Sequence, residues 1–403
     1  MQTFLDPRYA RSSVGREADA ILRKCVHCGL CNATCPTYQL LGDELDGPRG
    51  RIYLIKQLLE GEDPGDRVQL HLDRCLTCRN CETACPSGVE YSRLLGIGRE
   101  ALSRSHQRSP VRNWIHRGMA GVIANPVLFG WLLRTGGLFR PVMPKFLKSR
   151  IPVPGLARYR PVEGKSHPRK MIALSGCVQG ALAPDTNRAT AMVLDKLGIS
   201  LVEIPGAGCC GSLDLHTTRE DLARQRARAL IDHWLPHLDR GVEGFVMTAS
   251  GCGVTIKEYP HLFRADAEYR EKSTRISSRT FDLCEILERE MDDRYTMDSP
   301  PRKVAFHAPC TLQHGQKLPG RVEAILERAG HEIVAVPDSH VCCGSAGVYS
   351  LFHPVLSGQL REKKLQDLMR NRPDVICTAN VGCQSHLALG GDQPVKHWVE
   401  LLV

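Results

Sequence analysis

The sequence predicts an α+β protein of several domains, in which a helical amino-terminal domain precedes two related α/β units. Three observations support this prediction. A four-cysteine pattern occurs twice between residues 25 and 85, with helical periodicity around both copies. A pair of adjacent cysteines followed by glycine occurs twice in the carboxy-terminal half. In that half, apolar runs typical of strands alternate with helical periodicity, which indicates mainly parallel sheets covered by helices.

The size and cysteine content of the chain limit the classes of protein to consider. Its 403 residues are enough for two or three domains with separate cores. The first residues contain no continuous apolar run of the kind found in secretory signal peptides, so we expect a cytoplasmic protein. Eighteen cysteines in a reducing compartment indicate metal binding rather than disulfides.

The first cysteine motif has the spacing C-x2-C-x2-C-x3-C and is followed directly by proline. Its residues are Cys25, Cys28, Cys31, Cys35 and Pro36. The second copy has the same spacing and consists of Cys75, Cys78, Cys81, Cys85 and Pro86. In two-cluster ferredoxins, three thiolates of such a motif bind one [4Fe–4S] cluster and the fourth binds the other. The predicted ligand sets therefore cross between the motifs: Cys25, Cys28, Cys31 and Cys85 for cluster 1, and Cys75, Cys78, Cys81 and Cys35 for cluster 2.

Two zinc sites, or one cluster beside a degenerate motif, are the alternatives to two clusters. Zinc sites favour two separated C-x2-C pairs, and neither copy of the motif has that form. Two [4Fe–4S] clusters are therefore the preferred interpretation. Crossed ligation also brings the two clusters close together, as the transfer of single electrons requires.

The segments around these motifs predict helices, and we assign residues 1–105 to a helical two-cluster ferredoxin domain. Between the motifs, Pro48 suits the first turn of a helix, and Ile52 and Ile55 lie on one helical face. Gly61 is expected to end this helix. The domain should therefore be mostly helical.

A basic stretch, residues 106–168, separates this domain from the rest and is predicted to be a linker or docking segment. Residues 101–170 carry fourteen Lys and Arg and a single acidic residue, so the net charge of +9 originates there and a nucleic-acid-binding role is not expected. The uncharged run Gly118–Leu133 is shorter than the ~20 residues that span a bilayer, and Asn125-Pro126 interrupts it. Docking on a partner or packing on the protein's own domains is preferred over direct lipid contact.

The carboxy-terminal half repeats itself, and we assign residues 169–265 and 300–403 to two tandem, pseudo-symmetric α/β repeats. Cys310 follows Cys177 by 133 positions, and Cys342 follows Cys209 by the same 133. In each repeat the cysteines come directly after predicted strands. The carboxyl ends of parallel strands are where such sheets carry their sites.

The repeat cysteines are therefore candidates for a further metal or redox site. They are Cys177, Cys209, Cys210 and Cys252 in the first repeat, and Cys310, Cys342, Cys343 and Cys383 in the second. The four thiolates of one repeat could hold a third iron–sulfur cluster, or the eight thiolates of both repeats together could hold one shared cluster or a redox-active disulfide. The alternative is that these cysteines are only part of an inherited structural scaffold, either as buried thiols or as ligands of a structural zinc ion. Cys284 and Cys377 lie outside the pattern and are interpreted as ordinary thiols.

Several histidines lie close to the cysteines. His27 and His71 flank the ferredoxin motifs, where they have no ligand role and are interpreted as solvated or packing residues. Those near the repeat cysteines are His307, His314, His340 and His386. They could gate protons or contact a quinone, but hydrogen-bonded structural roles are preferred, because a polar residue near a strand end usually satisfies backbone groups.

These motifs together resemble the family of iron–sulfur subunits of bacterial glycolate oxidase (glycolate dehydrogenase), nearly end to end. The resemblance rests on "CVHCGLCNATCPTYQLLGDELDGPRGRIYLIKQLLEG", "HLDRCLTCRNCETACPSGV", "PDSHVCCGSAGVY" and "TANVGCQSHL", among others. The wider superfamily includes lactate-utilisation proteins, a subunit of anaerobic glycerol-3-phosphate dehydrogenase and heterodisulfide reductase. The repeats depart from the superfamily pattern, because Ala249 and Asn380 stand where the first cysteine of a C-x-x-C pair is sought.

The resemblance implies an electron-transfer subunit of an oxidoreductase. A partner flavoprotein with FAD would oxidise glycolate to glyoxylate, and this chain would pass the electrons singly toward a quinone or another acceptor, peripherally at the inner face of the cell membrane. The chain itself has no Gly-x-Gly-x-x-Gly motif that would open a flavin-binding unit. The alternatives are the corresponding subunit of a lactate or glycerol-3-phosphate dehydrogenase, and a heterodisulfide-reductase-like catalytic subunit.

Overall fold

The computed structural model describes residues 1–63, 65–105, 118–139, 166–292, 295–297, 299–391 and 393–403. Most of the predicted basic linker lies outside these residues. The chain divides into two compact units. The first comprises Met1–Gly118 and His340–Leu360, and the second comprises Met119–Ser339 and Arg361–Val403.

The first unit is helical in its described part, as the sequence predicts for the ferredoxin domain. Its longer helices are α1 (Ser13–Lys24), α2 (Pro48–Leu59), α3 (Gly65–Asp73) and α4 (Tyr91–Ser105). Short helical segments connect them: Pro7–Ala10, Leu30–Asn32, Pro36–Leu41, Glu44–Asp46 and Asn80–Thr83. A further short helix, Tyr349–Phe352, comes from the carboxy-terminal part of the chain.

Helix α2 begins and ends where the sequence predicts. Pro48 occupies its first turn, where the missing backbone N–H costs no hydrogen bond. Gly61 has a φ of 97°, the left-handed conformation with which glycine commonly ends a helix. The buried face of α2 includes Ile52 and Ile55, and it packs against α1 and α4 in one apolar core.

The approach of α2 and α4 depends on a glycine. A Cβ atom added at Gly98 of α4 would lie 2.6 Å from Cγ1 of Ile55. This distance is far below van der Waals contact, so the helix pair reaches its observed separation only with glycine at this position. Pro48 of α2 and Tyr91 of α4 both line cavities formed by the cysteine motifs, so this packing positions the site.

Residues 340–360, which include the second pair of adjacent cysteines, belong to the first unit. The side-chain amide of Asn80 donates hydrogen bonds to the carbonyl oxygens of Thr34 (3.0 Å) and His340 (3.2 Å). The Ser357 hydroxyl donates to the Gly344 carbonyl at 2.8 Å. The Asn80–His340 bond thus joins this segment to the amino-terminal part of the unit, and the Ser357–Gly344 bond holds the loop after the cysteine pair.

The second unit contains two four-stranded parallel sheets with the same strand order. The first sheet has the order β2-β1-β3-β4 and the second β6-β5-β7-β8. The strands are β1 (Arg169–Ala173), β2 (Ile199–Glu203), β3 (Gly244–Met247), β4 (Thr280–Asp282), β5 (Lys303–His307), β6 (Glu332–Ile333), β7 (Val375–Thr378) and β8 (Val395–His397). This confirms the predicted pair of pseudo-symmetric α/β repeats.

Helices alternate with these strands. The longer ones are α5 (Pro126–Phe139), α6 (Asp185–Lys196), α7 (Glu220–Asp239), α8 (Ser250–Lys257), α9 (Tyr269–Ser278), α10 (Leu283–Glu290), α11 (Arg321–Arg328), α12 (Pro354–Met369) and α13 (Val381–Leu387). Shorter segments are Gln179–Leu182, Ser212–His216, Tyr259–Leu262, Trp398–Leu401 and a π-helical turn, Thr311–Gly315. Helix α12 begins in the first unit and ends in the second.

Strand β4 adds an element that the sequence does not predict. It pairs with β3 through Phe245–Thr280, Val246–Phe281 and Met247–Asp282, so the first sheet continues past residue 265. Its counterpart in the second repeat is β8. The predicted repeat boundaries themselves stay predictions.

The two sheets share one apolar core. That core includes Met171 and Leu201 from the first sheet and Val304 and Val375 from the second. Backbone groups join the repeats as well: Ser250 N–H donates to the Ala379 carbonyl at 3.1 Å. The two repeats therefore pack against each other around a common core instead of forming two separate cores.

The uncharged run Gly118–Leu133 is interrupted at Asn125-Pro126, as the sequence predicts. Asn125 accepts hydrogen bonds from the N–H groups of Val127 and Leu128, both at 3.1 Å, and Pro126 begins α5. Asn125 therefore caps a new helix at the point where the run is interrupted. In the described part of the chain, none of the helices combines the length and the apolar character needed to cross a bilayer.

Candidate metal centres

Five thiols of the first unit line one cavity, which is open to solvent and has a volume of about 440 Å³. Four of them, Cys25, Cys28, Cys31 and Cys85, are the set that sequence analysis assigns to cluster 1, and the fifth is Cys81. Cys25 is buried, whereas Cys28 is exposed. The structure thus brings three residues of the first motif together with the last residue of the second.

A second cavity, of about 320 Å³, is lined by the other set of four thiols. They are Cys35, Cys75, Cys78 and Cys81, the set assigned to cluster 2. Here no cysteine is fully exposed, and Cys35 and Cys81 are buried. Each cavity thus collects the soft sulfur ligands that an iron–sulfur cluster requires. That they are the ligands stays a prediction.

The two cavities are neighbours. Pro48, Cys81 and Tyr91 line both of them. Centres bound in these cavities would be separated by little more than these side chains. This is the proximity that crossed ligation predicts.

The same loop conformation surrounds the second cysteine of each motif. His27 and Gly29 flank Cys28 with φ values of 59° and 84°. Thr77 and Arg79 flank Cys78 with φ values of 55° and 62°. Left-handed residues reverse the chain within a few positions, and so the short loop can point successive thiols into one cavity. For three of the four, this conformation is unusual because they are not glycine.

A buried arginine lies beside the second cavity. The Arg51 side chain is 1% exposed, and its Nη1 lies 3.9 Å from Sγ of Cys35. Its Nη2 donates to the Thr37 hydroxyl at 3.1 Å, and its Nε donates to the His71 carbonyl at 2.8 Å. These bonds hold a full positive charge against a predicted cluster ligand.

Asp46 balances this charge without access to water. Its carboxylate accepts from Arg51 at 3.4 Å, from Arg74 at 2.8 Å and from Nδ1 of His71 at 3.0 Å. A buried charge is tolerated when several hydrogen-bond donors surround it, as they do here. His71, predicted to be a solvated or packing residue, is a buried member of this network.

The first cavity has an arginine too, but in a different setting. Arg49 lines the cavity, and its side chain is 34% exposed. It forms an ion pair with Glu44 at 2.6 Å, and Glu44 also accepts from the Asn32 amide at 2.9 Å. Solvent therefore screens the charge of Arg49 more strongly than that of Arg51.

Two buried tyrosines complete the surroundings of the second cavity. The hydroxyl of Tyr91 lies 3.6 Å from Sγ of Cys75, and burial, followed by the charge of Cys75, raises the tyrosine pKa well above its usual value. Burial also raises the pKa of Tyr349, which interacts electrostatically with Arg51, Cys75 and Cys342. Both phenols therefore stay protonated.

The first repeat brings its four cysteines together at the carboxyl ends of β1, β2 and β3. Cys209 makes side-chain hydrogen bonds with Cys177 and Cys210, and Cys210 makes one with Cys252. The bonds from Cys177 and Cys210 lower the pKa of Cys209 and raise the pKa of both partners. Arg226 adds a positive charge that favours the Cys209 thiolate.

The glycine after each cysteine pair has a specific geometric role. Gly211 and Gly344 have φ values of 86° and 91°, and their N–H groups donate to the sulfurs of Cys209 (3.5 Å) and Cys342 (3.4 Å). A Cβ at Gly344 would lie 2.7 Å from the Ser357 carbonyl oxygen. Only glycine allows both the left-handed turn and this close approach, which explains the repeated Cys-Cys-Gly.

The cysteines of the second repeat are distributed between the two units. Cys310 and Cys383 lie in the second unit, at the carboxyl ends of β5 and β7, whereas Cys342 and Cys343 lie in the first. Cys284 and Cys377, which fall outside the repeat pattern, are fully buried core residues, in agreement with their interpretation as ordinary thiols.

Sequence reasoning missed several residues around these sites. Arg51, Asp46 and Tyr91 belong to neither cysteine motif and become neighbours of the thiols only in the folded unit. Arg51 lies in α2, Tyr91 begins α4, and Asp46 lies in the short helical segment before α2. His307 is interpreted from the sequence as hydrogen-bonded structure, but neither of its ring nitrogens has a hydrogen-bond partner among the described residues. The one signal in the sequence for Arg51 is its position: it is a charged residue beside the apolar face of α2.

Family comparisons assign both parts of the chain. Residues 21–89 match the family described as "4Fe-4S dicluster domain". Residues 172–257 and 304–388 each match the family described as "Cysteine-rich domain". The eight cysteines of the ferredoxin motifs fall within the first range, and the cysteines of the two repeats fall within the other two, whereas strands β4 and β8 lie outside them.

Curated relatives match over nearly the full chain. A protein of Escherichia coli (strain K12), "Glycolate oxidase iron-sulfur subunit", is 48% identical over 402 residues, which cover 100% of this chain and 98% of that protein. A protein of Bacillus subtilis (strain 168), "Probable glycolate oxidase iron-sulfur subunit", is 28% identical, with 92% of this chain and 89% of that protein covered.

A solved structure shares the fold at low identity. The crystal structure of a hypothetical protein from Helicobacter pylori matches 98% of this chain and 72% of that chain, with a TM-score of 0.53 and 11% identity. At this identity the likeness concerns the fold alone.

Proposed function

The chain belongs to the family of glycolate oxidase iron–sulfur subunits, and we propose that it conducts single electrons from a flavoprotein partner to an acceptor in that type of complex. The partner, with FAD, oxidises glycolate to glyoxylate. This chain accepts the electrons and passes them toward a quinone or another carrier. It does not oxidise glycolate by itself.

One observation carries this proposal: two neighbouring cavities are lined by cysteines, five at the first and four at the second, with Cys81 at both. In the proposed assignment, Cys25, Cys28, Cys31 and Cys85 hold one [4Fe–4S] cluster, and Cys35, Cys75, Cys78 and Cys81 hold the other. Each cluster supplies a reversible one-electron couple when bound. The protein orients the thiols and sets the surrounding charge.

The electrostatic difference between the cavities gives the relay a direction. Adding an electron makes a cluster more negative. At the second cavity the single carboxylate of Asp46 faces two arginines, Arg51 and Arg74, so a net positive charge remains beside the buried thiols and favours the reduced state. At the first cavity Arg49 is paired one-to-one with Glu44 and is screened by solvent, so it favours the extra charge less. Electrons therefore enter through the first centre and rest on the second.

The first repeat supplies a further centre in this proposal. Cys177, Cys209, Cys210 and Cys252 converge at one end of a sheet, and Cys209 is poised as a thiolate, the form that binds metals. A third iron–sulfur centre there would extend the relay. The proposed site of action is the cytoplasm, at the inner face of the cell membrane, where a quinone can be reached.

A reconstitution experiment tests the division of labour. The chain is purified without oxygen and mixed with glycolate, and the absorbance of its iron–sulfur centres is followed. We expect no bleaching with the chain alone, and bleaching once the FAD-containing subunits are added. Glycolate oxidation by the isolated chain, or clusters that stay oxidised in the complete complex, would contradict the proposal.

A further inference from the structure

His307 is an anomaly at the end of strand β5. Its side chain is buried, with 2% of the residue exposed. Neither Nδ1 nor Nε2 has a hydrogen-bond partner among the residues that the structure describes. Buried polar groups are nearly always paired, so an imidazole with two unpaired nitrogens requires a specific explanation, of which a bound ion is one.

Cys383 lies next to this imidazole. A ring nitrogen of His307 and Sγ of Cys383 are within 4.8 Å of each other, and both residues are buried. The amide of Asn380 donates to the Cys383 sulfur at 3.6 Å.

The sheet fixes both residues. Strands β5 and β7 are parallel neighbours, with His307 opposite Thr378, and the Thr378 hydroxyl donates to the His307 carbonyl at 2.9 Å. Cys383 follows β7 in helix α13. The two side chains therefore meet at the carboxyl edge of the sheet, where parallel sheets carry their sites.

The first repeat lacks both of these polar neighbours. His307 stands three positions before Cys310, and the corresponding residue before Cys177 is Leu174. Asn380 stands three positions before Cys383, and the corresponding residue before Cys252 is Ala249. At two corresponding positions the first repeat thus has an apolar residue where the second has a polar one, His307 or Asn380. Both polar residues lie at the same edge of the second sheet.

We propose that His307 and Cys383 are ligands of a metal centre in the second repeat, which therefore has mixed imidazole and thiolate coordination. The metal is a transition metal that accepts both donors, either iron within a sulfide cluster or zinc. This inference deepens the proposed function, on which it rests for the presence of metal in the repeats. It makes the centres of the two repeats chemically different.

The protonation state of His307 is compatible with this role. Burial, followed by the charges of Lys364 and His386, lowers the pKa of His307 well below its usual value. The imidazole is therefore neutral and keeps a lone pair for the metal. If the metal is iron in a cluster, replacing thiolate by imidazole raises its reduction potential, as it does in Rieske centres.

Three variants of the full-length chain test the assignment. His307→Leu introduces the residue found at the corresponding position of the first repeat, and His307→Cys supplies a different ligand. His331→Leu is the matched control, because His331 is also buried but both of its nitrogens are hydrogen-bonded, to Arg302 N–H and the Leu401 carbonyl. Iron and zinc are quantified after purification without oxygen and a chelator challenge.

We expect the wild-type chain to keep metal beyond the about eight irons of two [4Fe–4S] clusters. His307→Leu should lose the part of this additional metal that the second repeat binds at a chelator concentration at least tenfold lower, and keep the part bound by the first repeat. His307→Cys and the folded fraction of His331→Leu should retain both parts. Equal retention by His307→Leu and wild type would overturn the inference, as would a wild-type chain without additional metal. The iron-to-zinc ratio distinguishes a cluster from a zinc ion.

A spectroscopic measurement covers the case in which His307→Leu does not fold. With 15N-labelled histidine, pulsed EPR of an iron centre, or X-ray absorption of a zinc centre, should detect a metal-bound nitrogen in the wild-type chain. This nitrogen should disappear in His307→Cys while the metal stays. A metal-bound nitrogen that persists in His307→Cys would refute the assignment. The ferredoxin-type EPR signals report the proposed relay separately, so failure of one proposal is distinguishable from failure of the other.

Discussion

The two thiol-lined cavities differ most clearly in their electrostatic surroundings, and Arg51 is the main cause of that difference. Its charge is buried, and Asp46, His71 and Arg74 fix its surroundings. Arg49, at the first cavity, is about one-third exposed and paired with an acidic residue. Because screening by water is weaker in a buried site, we expect Arg51 to influence a bound cluster more strongly.

We predict that Arg51→Met lowers the midpoint potential of the second cluster. The variant keeps much of the side-chain volume but removes the charge that stabilises the reduced state. A tenfold change in the electron-sharing equilibrium, about 59 mV for a one-electron couple, is the expected minimum. A redox titration followed by EPR measures both clusters in the same sample.

Arg49→Met is the matched control for this experiment. It should shift the first cluster by a smaller amount, because solvent already screens that charge and Glu44 neutralises it. Equal shifts in the two variants, or an unchanged second cluster in Arg51→Met, would show that buried charge does not set the order of the potentials.

Asp282 provides a test of stability at the residue scale. It ends strand β4, is buried, and accepts hydrogen bonds from Gln316 Nε2 (2.8 Å) and from Cys284 N–H (3.3 Å). Burial raises its pKa to about 6, from a usual value of 3.8. The folded state therefore binds the proton more tightly than the unfolded state, and stability falls as pH rises from about 4 through 6.

We predict that Asp282→Asn melts at a higher temperature than the wild-type chain at pH 8. Asparagine caps a helix about as well as aspartate, and its amide could donate to Gln316 Oε1, which has no hydrogen-bond partner among the described residues. The shift of about two pKa units corresponds to at most about 3 kcal/mol. The advantage should shrink as pH falls toward 5. A difference in melting temperature that is independent of pH would contradict this explanation.

At the scale of elements, the contact between helices α2 and α4 shapes both cavities. Gly98 faces Ile55 so closely that a single added carbon would overlap it. Gly96, two positions earlier in α4, is exposed and has no atom within 4 Å of the position where its Cβ would lie. Replacing each glycine by alanine therefore distinguishes two effects on stability: overpacking of the helix contact at Gly98, and a higher helix propensity at Gly96.

We predict opposite effects for Gly98→Ala and Gly96→Ala. Gly98→Ala should destabilise the first unit by about 1–3 kcal/mol, because it overpacks the helix contact. Gly96→Ala should stabilise it by up to about 1 kcal/mol, because alanine favours a helix. Thermal melting, with iron retention as a second readout, measures both effects. Destabilisation by Gly96→Ala, or none by Gly98→Ala, would contradict the packing described here.

The elements differ in how well the sequence predicts them. Helix α2 was predictable because Pro48, the apolar spacing and Gly61 all act locally. Strand β4 was not, because its three residues form no apolar run, and only pairing with β3 makes them a strand. The membership of residues 340–360 in the first unit was not predictable either, because it depends on contacts such as Asn80 with His340, far apart in sequence.

At the scale of the whole molecule, duplication explains most of the architecture. Two sheets with the same strand order share one core, and each presents cysteines at its carboxyl edge. The cysteine spacing predicts two thiol sets because short loops constrain where successive sulfurs point; the structure brings the members of each set to one cavity, and their role as cluster ligands stays a prediction. The residues that distinguish one site from another, such as Arg51 and His307, were not predictable, because their partners come from other elements.

The two repeats are therefore alike in topology but different in chemistry. The first gathers four cysteines that are joined in series by side-chain hydrogen bonds. The second has His307 beside Cys383 at the equivalent edge. A duplicated fold can thus keep its sheet while substitutions at strand ends change the ligands that it offers.

The central claim is that thiols from both amino-terminal motifs enclose two adjacent [4Fe–4S] clusters. Low-temperature EPR of the dithionite-reduced chain, purified without oxygen, tests it most directly. We predict about two unpaired spins per chain from the ferredoxin domain, with a spectrum broadened by magnetic interaction between them. A chain that contains no iron, or that carries zinc on the eight ferredoxin cysteines and gives no such signal, would contradict the account.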